Sequence, residues 1–159
     1  MAKSSVVHAT FVVERTFNAS PAEVFNAFAD PKAKAQWFVG PKEWESGPRE
    51  FDFRVGGREL NSGGPKGGPL HSFECIYQDI VPNRRIIYTY DMHLDRNRIS
   101  VSLATIEITP AGKGTRLVLT EQGAFLDGYD DAGQREHGTN LLVDALGAFL
   151  ERRASGSRH

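Results

Sequence analysis

The sequence predicts an α+β domain in which a curved antiparallel sheet of six or seven strands grips one long C-terminal helix, with two short helices after the first strand. Three observations predict it. Segments of period-two alternation follow one another with only turn chemistry between them, which suits antiparallel hairpins, whereas parallel crossovers would need intervening helices. Two helix-start signals stand together just after the first segment. The longest 3.6-residue apolar period lies near the C-terminus, where a helix of about twenty residues would span ~30 Å, the width of such a sheet.

The elements follow in order. Residues 8–17 alternate, with Ala9, Phe11, Val13 and Phe17 on one parity and Thr10, Val12, Glu14 and Thr16 on the other, a half-buried strand whose inward parity also holds Arg15. Ser20, Pro21 and Glu23 then supply a capping residue, a first-position proline and a capping-box carboxylate, ahead of the apolar stripe Val24, Phe25 and Phe28. Asp30 and Pro31 repeat the signal, so a second short helix should run toward Gln36 and deliver Trp37 and Phe38 at its exit. Between residues 40 and 69 glycine and proline punctuate the chain, which predicts short strands at 42–45 and 50–55 and a hairpin turn at Gly56-Gly57. The run 62–69 reads as a mobile loop tip; its Lys66 lies between Pro65 and Gly67 and lacks the Ser or Thr that a phosphate loop requires. Longer strands are expected at 70–81, 84–93, 99–109 and 115–123, separated by turns. Asp131, with Gln134 three residues on, caps the last helix, whose stripe is Leu141, Leu142, Ala145, Leu146, Phe149 and Leu150.

Composition narrows the classes of function. A chain of 159 residues fits one core, so residues 1–159 are expected to form a single domain with the ends 1–6 and 155–159 frayed. With 40% hydrophobic, 10% aromatic and 25% charged residues, disorder and collagen-like repeats are excluded, and no apolar run approaches the roughly 18 residues of a spanning helix. The first residues lack the apolar stretch of a secretory signal and Cys75 is the only cysteine, so the expected location is the cytoplasm. Nineteen basic against twenty acidic residues give a net charge of -1, which offers no global field for nucleic acid or a membrane surface, and neither is expected as a partner.

The interior is where function is expected. Phe73 and Tyr77 share an inward parity, as do Tyr88 and Tyr90, and Trp37, Phe38, Trp44 and Phe53 arrive from the first half of the chain. The last helix opens with Gln134, His137, Gly138, Thr139 and Asn140 before its apolar half begins at Leu141. Those small and polar residues underfill the wrapper. An apolar cavity edged by hydroxyls and an imidazole should result, with ligand-lining candidates Trp37, Phe38, Trp44, Phe53, Phe73, Tyr77, Tyr88, Tyr90, His137 and Leu141. For any single ring the competing account is a core residue whose polar tip reaches water.

Catalytic signatures are sparse. The five histidines show no paired metal-ligand spacing, and neither a Gly-x-Ser-x-Gly elbow nor a dinucleotide fingerprint is present, so no metal or cofactor is expected. Cys75 falls on a buried parity, as a small apolar filler would. Tyr88, Tyr90, His93, Glu121, His137 and Arg15 could face the cavity as acid-base groups; no spacing fixes a triad. A buried arginine at position 15 more often neutralises a structural acid such as Glu121. Asp127, Asp130 and Asp131 precede a helix, where capping and dipole complementarity account for them.

Several segments taken together resemble a known family. They are 15–25 (Arg-Thr-Phe-Asn-Ala-Ser-Pro-Ala-Glu-Val-Phe), Asp30-Pro31, 37–41 (Trp-Phe-Val-Gly-Pro) and 51–58 (Phe-Asp-Phe-Arg-Val-Gly-Gly-Arg). Further on come 82–90, Gly114-Thr115-Arg116-Leu117 and Thr120-Glu121-Gln122-Gly123, then Gly138 and the terminal stripe. In this order they resemble the START/Bet v 1-like helix-grip superfamily (SRPBCC), in the branch of the C-terminal domain of the activator of Hsp90 ATPase. The resemblance implies a sheet gripping a C-terminal helix around a hydrophobic cavity, in a family whose members bind or transform lipids, polyketides and other apolar molecules. It also raises Hsp90, but the eukaryotic co-chaperones carry an additional N-terminal domain for which 159 residues leave no room, so chaperone activation is not expected. The leading expectation is binding of a small apolar or aromatic ligand, lipid or polyketide-like. The alternatives are a cyclase or hydratase acting on a polyketide-like substrate and a protein-interaction module; a homodimer is compatible with all three.

Overall fold

In the computed structural model, which describes residues 4–156, seven strands form one antiparallel sheet in the order β1-β7-β6-β5-β4-β3-β2. The chain runs β1 (Val6–Phe17), α1 (Pro21–Ala29), α2 (Pro31–Lys34), β2 (Glu45–Phe51), β3 (Arg58–Gly64), β4 (His71–Val81), β5 (Arg85–Leu94), β6 (Asn97–Ala111), β7 (Gly114–Leu126) and α3 (Ala132–Gly156). The expected fold class is the observed one. Of the ends expected to fray, residues 1–3 and 157–159 lie outside the described residues, whereas Val6 already pairs with Leu126 and α3 runs to Gly156.

The helix starts follow their signals. Glu23 N–H donates to Ser20 Oγ at 3.1 Å and the Glu23 carboxylate reaches back to the Ser20 backbone, closing the capping box. Asp30 caps α2, and turns after Lys34 carry the chain to Trp37 and Phe38. Asp131 Oδ1 accepts from Gln134 N–H at 2.8 Å at the start of α3.

Two strands lie elsewhere than expected. The segments 42–45 and 50–55 are replaced by β2 and β3, which are shifted toward the C-terminus. Pro48 interrupts an alternating pattern, but β2 is the edge of the sheet, where a residue without an N–H is tolerated, and a register shift between Ser46 and Arg49 absorbs it. The turn 52–57 needs its glycines: Gly56 has φ +82°, and a Cβ on Gly57 would lie 2.1 Å from the Asp52 carbonyl oxygen. The expected loop 62–69 begins instead as strand, because Ser62 and Gly63 find ladder partners on β4 and Gly64 pairs with Glu45 of β2. Only the tip beyond Gly64 turns.

The apolar half of α3 packs against the β1 end of the sheet. Val13 and Phe17 of β1, Val24 and Phe28 of α1, Ile106 and Ile108 of β6, Leu117 of β7, and Leu146, Phe149 and Leu150 of α3 form this core. The inward stripe of α3 runs Thr139, Val143, Leu146, Phe149 and Leu150, which corrects the expected Leu141-based stripe. Leu141 is 56% exposed and His137, one turn earlier on the same face, is also exposed. The reason is polar. β7 presents the carboxylate of Glu121 to the helix, Thr139 turns inward to meet it, and residues two positions away are carried about 200° around the axis into solvent.

Candidate functional site

Between the far end of the sheet and α3 lies a cleft of about 390 Å³. The segment 38–46, the strands β3 and β4, Met92 of β5 and Leu142 of α3 supply its walls. Trp44 stacks on His71 with ring centroids 4.5 Å apart, and Phe38 packs on Phe73 at 5.1 Å. Behind Phe73 the rings continue along the concave face: Phe73 to Tyr90 at 4.9 Å, Phe73 to Tyr88 at 6.1 Å, Tyr88 to Tyr77 at 5.9 Å, and Tyr77 to Phe53 at 4.9 Å. On the helix side, a Cβ built at Gly138, one turn before Leu142, would meet no atom within 4 Å.

Two buried polar clusters flank these rings. In the first, Lys34 Nζ donates to Glu59 Oε1 at 2.6 Å, and the Tyr77 hydroxyl donates to the same oxygen at 2.5 Å. The ammonium also lies 4.5 Å from the centre of the Phe38 ring, a cation–π contact that helps a desolvated charge. In the second, the Tyr90 hydroxyl donates to Glu121 Oε1 and Thr139 Oγ1 donates to Glu121 Oε2 at 3.0 Å. Arg135 completes it, donating to Tyr90 Oη at 3.1 Å, Ser100 Oγ at 2.9 Å and Asp130 Oδ2 at 2.8 Å. Tyr88 lies between the clusters, and its hydroxyl makes no hydrogen bond among the described residues.

Burial sets the protonation states. Desolvation pushes the Tyr88 hydroxyl well above its ordinary range, with the Glu121 charge adding to it, and Tyr77 and Tyr90 move the same way. Cys75 is pushed up to about 12 by desolvation and by Glu59. Desolvation raises Glu121 as well, against the opposing hydrogen bonds from Tyr90 and Thr139. Desolvation lowers His71, which favours its neutral imidazole. The interior is thus furnished with neutral phenols and a neutral thiol, groups that donate hydrogen bonds and are poor nucleophiles.

The family model described as activator of Hsp90 ATPase homolog 1-like protein matches residues 18–151. The chain belongs to this family. With its sheet gripping α3, it is a member of the START/Bet v 1-like superfamily. Among solved structures, an uncharacterised protein from Rhizobium leguminosarum is 47% identical over 94% of this chain and 99% of its own, with a TM-score of 0.89. The Mll3558 protein from Rhizobium loti is also 47% identical, over 92% and 99%, with a TM-score of 0.86. An AHSA1-like protein from Aeromonas hydrophila shares the fold at 16% identity, over 92% and 94%, with a TM-score of 0.67. No curated protein matches the chain by sequence.

Within this family fold the residues singled out from sequence divide into three groups. Phe38, Trp44 and Phe73 line the cleft. Trp37, Phe53, Tyr77, Tyr88 and Tyr90 belong to the ring layer and core around it; Trp37 Nε1 donates to the Ala27 carbonyl at 2.9 Å, which ties it to α1. His137 and Leu141 face solvent, correcting their assignment to the interior. Of the acid-base candidates, Arg15 pairs with Asp144 at 3.1 Å and Asn140 at 2.7 Å of α3, not with Glu121. His93 keeps a buried Nδ1 without a partner among the described residues. The aspartates before α3 are engaged: Asp131 caps it, Asp130 binds Arg135, and Asp127 accepts from Ser5 N–H.

Sequence reasoning missed His71, Met92, Lys34, Glu59 and Arg135. The first two had a signal, since His71 shares the parity of Phe73 and Met92 that of Tyr90. Arg135 lies one helical turn before Thr139, on the same face. Lys34 and Glu59 carried none, being 25 residues apart on a helix and a strand whose register is set elsewhere.

Proposed function

We propose that the protein binds a small apolar or aromatic molecule, of lipid or polyketide-like class, in the cleft between the β3–β4 end of the sheet and α3. The observation that carries this reading is the cleft itself. Its volume of about 390 Å³ falls within the range of small-molecule sites, and Phe38, Trp44, Phe73, Met92 and Leu142 form an apolar part of its lining beside the polar Lys42, Glu45, Arg49, Asn61 and His71. Binding is favoured over a cyclase or hydratase reaction because the buried acid and phenols behind the cleft are already committed, which leaves His71, stacked on Trp44, as the one imidazole in its lining. Both oxygens of Glu121 are already hydrogen-bonded inside the protein, and the phenols are held protonated.

The test is thermal unfolding against a panel of naphthalene- and anthracene-based compounds and medium-chain fatty alcohols. A ligand at 100 times its Kd should stabilise by roughly 2.7 kcal/mol. Leu142→Trp, which places an indole in the cleft from a half-exposed helix position, should fold and lose the shift. A panel without any effect on the unmodified protein would refute the reading.

A further inference from the structure

One wall of the cleft is a single row of residues across four strands. Arg49 of β2 pairs with Asn61 of β3, Asn61 with Phe73 of β4, and Phe73 with Met92 of β5, and directly opposed residues of a ladder share a face. All four line the cleft, as does Leu142 of α3. The row is apolar at Phe73 and Met92 and ends at the sheet edge in a guanidinium. With strands about 4.8 Å apart, its two ends are separated by roughly 14 Å.

Arg49 differs from the other arginines of the sheet. Arg58, Arg85, Arg98 and Arg116 each lie within 4.0 Å of an acid. The Arg49 side chain makes no ion pair or hydrogen bond among the described residues. The acids near it in sequence do not share its face: Glu45, the one acid of the cleft lining, pairs with Gly64, and Glu50 pairs with Leu60 and lies 4.0 Å from Arg58. Asn61 is committed, its amide donating to the Phe38 carbonyl at 3.2 Å.

A second cavity of about 260 Å³ shares Phe38, Arg49 and Asn61 with the cleft, so Arg49 borders both spaces. The buried charges of that cavity, Lys34 and Glu59, neutralise each other at 2.6 Å. The uncompensated charge of the row is therefore positive. A guanidinium presents paired N–H donors that match a carboxylate in two parallel hydrogen bonds, which a neutral ligand cannot use as fully.

We propose that Arg49 is the specificity-determining residue of this cleft, selecting apolar molecules that carry a carboxylate over neutral molecules of the same shape. The apolar body lies on Phe73 and Met92, and the acid group meets the guanidinium at the sheet edge. This rests on the small-molecule reading above and goes beyond it by naming the functional group recognised and the residue that recognises it.

A matched pair of probes separates the two claims. 2-Naphthoic acid, ionised at pH 7.5, and 2-naphthamide have nearly the same planar outline and differ in charge. Their dissociation constants are measured by titration calorimetry on the full chain, on Arg49→Gln and on Arg84→Gln, the last an exposed arginine in the β4–β5 turn. The unmodified protein should prefer the acid, and that preference, taken as a ratio, should fall about fivefold in Arg49→Gln, the upper range for a partly exposed ion pair. Arg84→Gln should leave it within about twofold. In the unmodified protein, raising salt from about 50 to 500 mM should weaken binding of the acid and leave that of the amide unchanged, a readout that does not depend on a variant folding.

If the acid is not preferred, if its preference survives Arg49→Gln or is lost instead in Lys42→Gln, or if salt affects both probes alike, the Arg49 assignment is overturned while the cleft reading stands. The same holds if the acid fails to bind while other compounds of the panel raise the Tm. If both probes and the whole panel are silent, both claims fall.

Discussion

Replacing Lys34 by methionine should destabilise the protein far more than a surface lysine would allow. Lys34 is 5% exposed and Glu59 4%, and the two are 2.6 Å apart. At an effective dielectric of about 20, unit charges at that distance attract by roughly 6 kcal/mol, and desolvating each ion costs several kcal/mol in the other direction. The pair as a whole is therefore close to neutral in free energy. Removing one member is not, because the Glu59 carboxylate is left in the interior with only the Tyr77 hydroxyl at 2.5 Å to serve it. The expected loss is about 3–5 kcal/mol. For a chain of this length that corresponds to a fall in Tm of roughly 6–20 °C. Urea titration followed by far-UV circular dichroism measures it directly. The double variant Lys34→Met/Glu59→Gln, which removes both charges and keeps an acceptor for Tyr77, should return to within about 1 kcal/mol of the starting protein. A single variant that loses less than about 1 kcal/mol, or a double variant no better than the single, would show that the interior does not hold the pair as an isolated charge couple.

Other outcomes follow from the same interior. Desolvation raises Glu121 above its ordinary value of 4.5, so the folded state holds this proton to higher pH than the unfolded state does. Its contribution is full below that ordinary value and declines as pH rises toward the folded one; urea midpoints at a series of pH values should show this slope reduced in Glu121→Gln. Cys75, with its thiol pushed up to about 12, should resist Ellman's reagent at pH 8, where only ~1 in 10⁴ thiols is ionised, and should react promptly in urea. Gly64→Ala would set a Cβ 2.2 Å from the Pro69 carbonyl oxygen and should cost about 2 kcal/mol. Gly138→Ala meets nothing within 4 Å and should stabilise α3 by about 0.5–1 kcal/mol; equal effects at the two glycines would contradict the geometry.

The fold was legible wherever a local rule had no competitor. The capping box at Ser20 and the Asp131 cap formed as their side-chain chemistry dictates, and the long strands β4 to β7 kept their alternation because one face is buried along their length. Legibility failed between residues 42 and 64. There an edge proline, a bulge and five glycines decide the strand positions through turns and contacts with neighbouring strands, which no local pattern encodes. The candidate site divides in the same way. Parity gave Phe73, Tyr77, Tyr88 and Tyr90 as a ring layer, and it would also have given His71 and Met92. The rotation of α3 was beyond reach, since it depends on Glu121 meeting Thr139 across 18 residues of sequence.

The sequence by itself determined the order of the elements, the antiparallel sheet and the family, because periodicity, caps and turn residues act over a few residues and are read locally. The tertiary structure alone decided which charges are buried together, which face of the terminal helix looks inward, and which phenols meet a carboxylate. Those outcomes depend on atoms brought to within 3 Å from distant parts of the chain, and the energy of a buried polar group is set by what meets it there and not by its own place in the sequence.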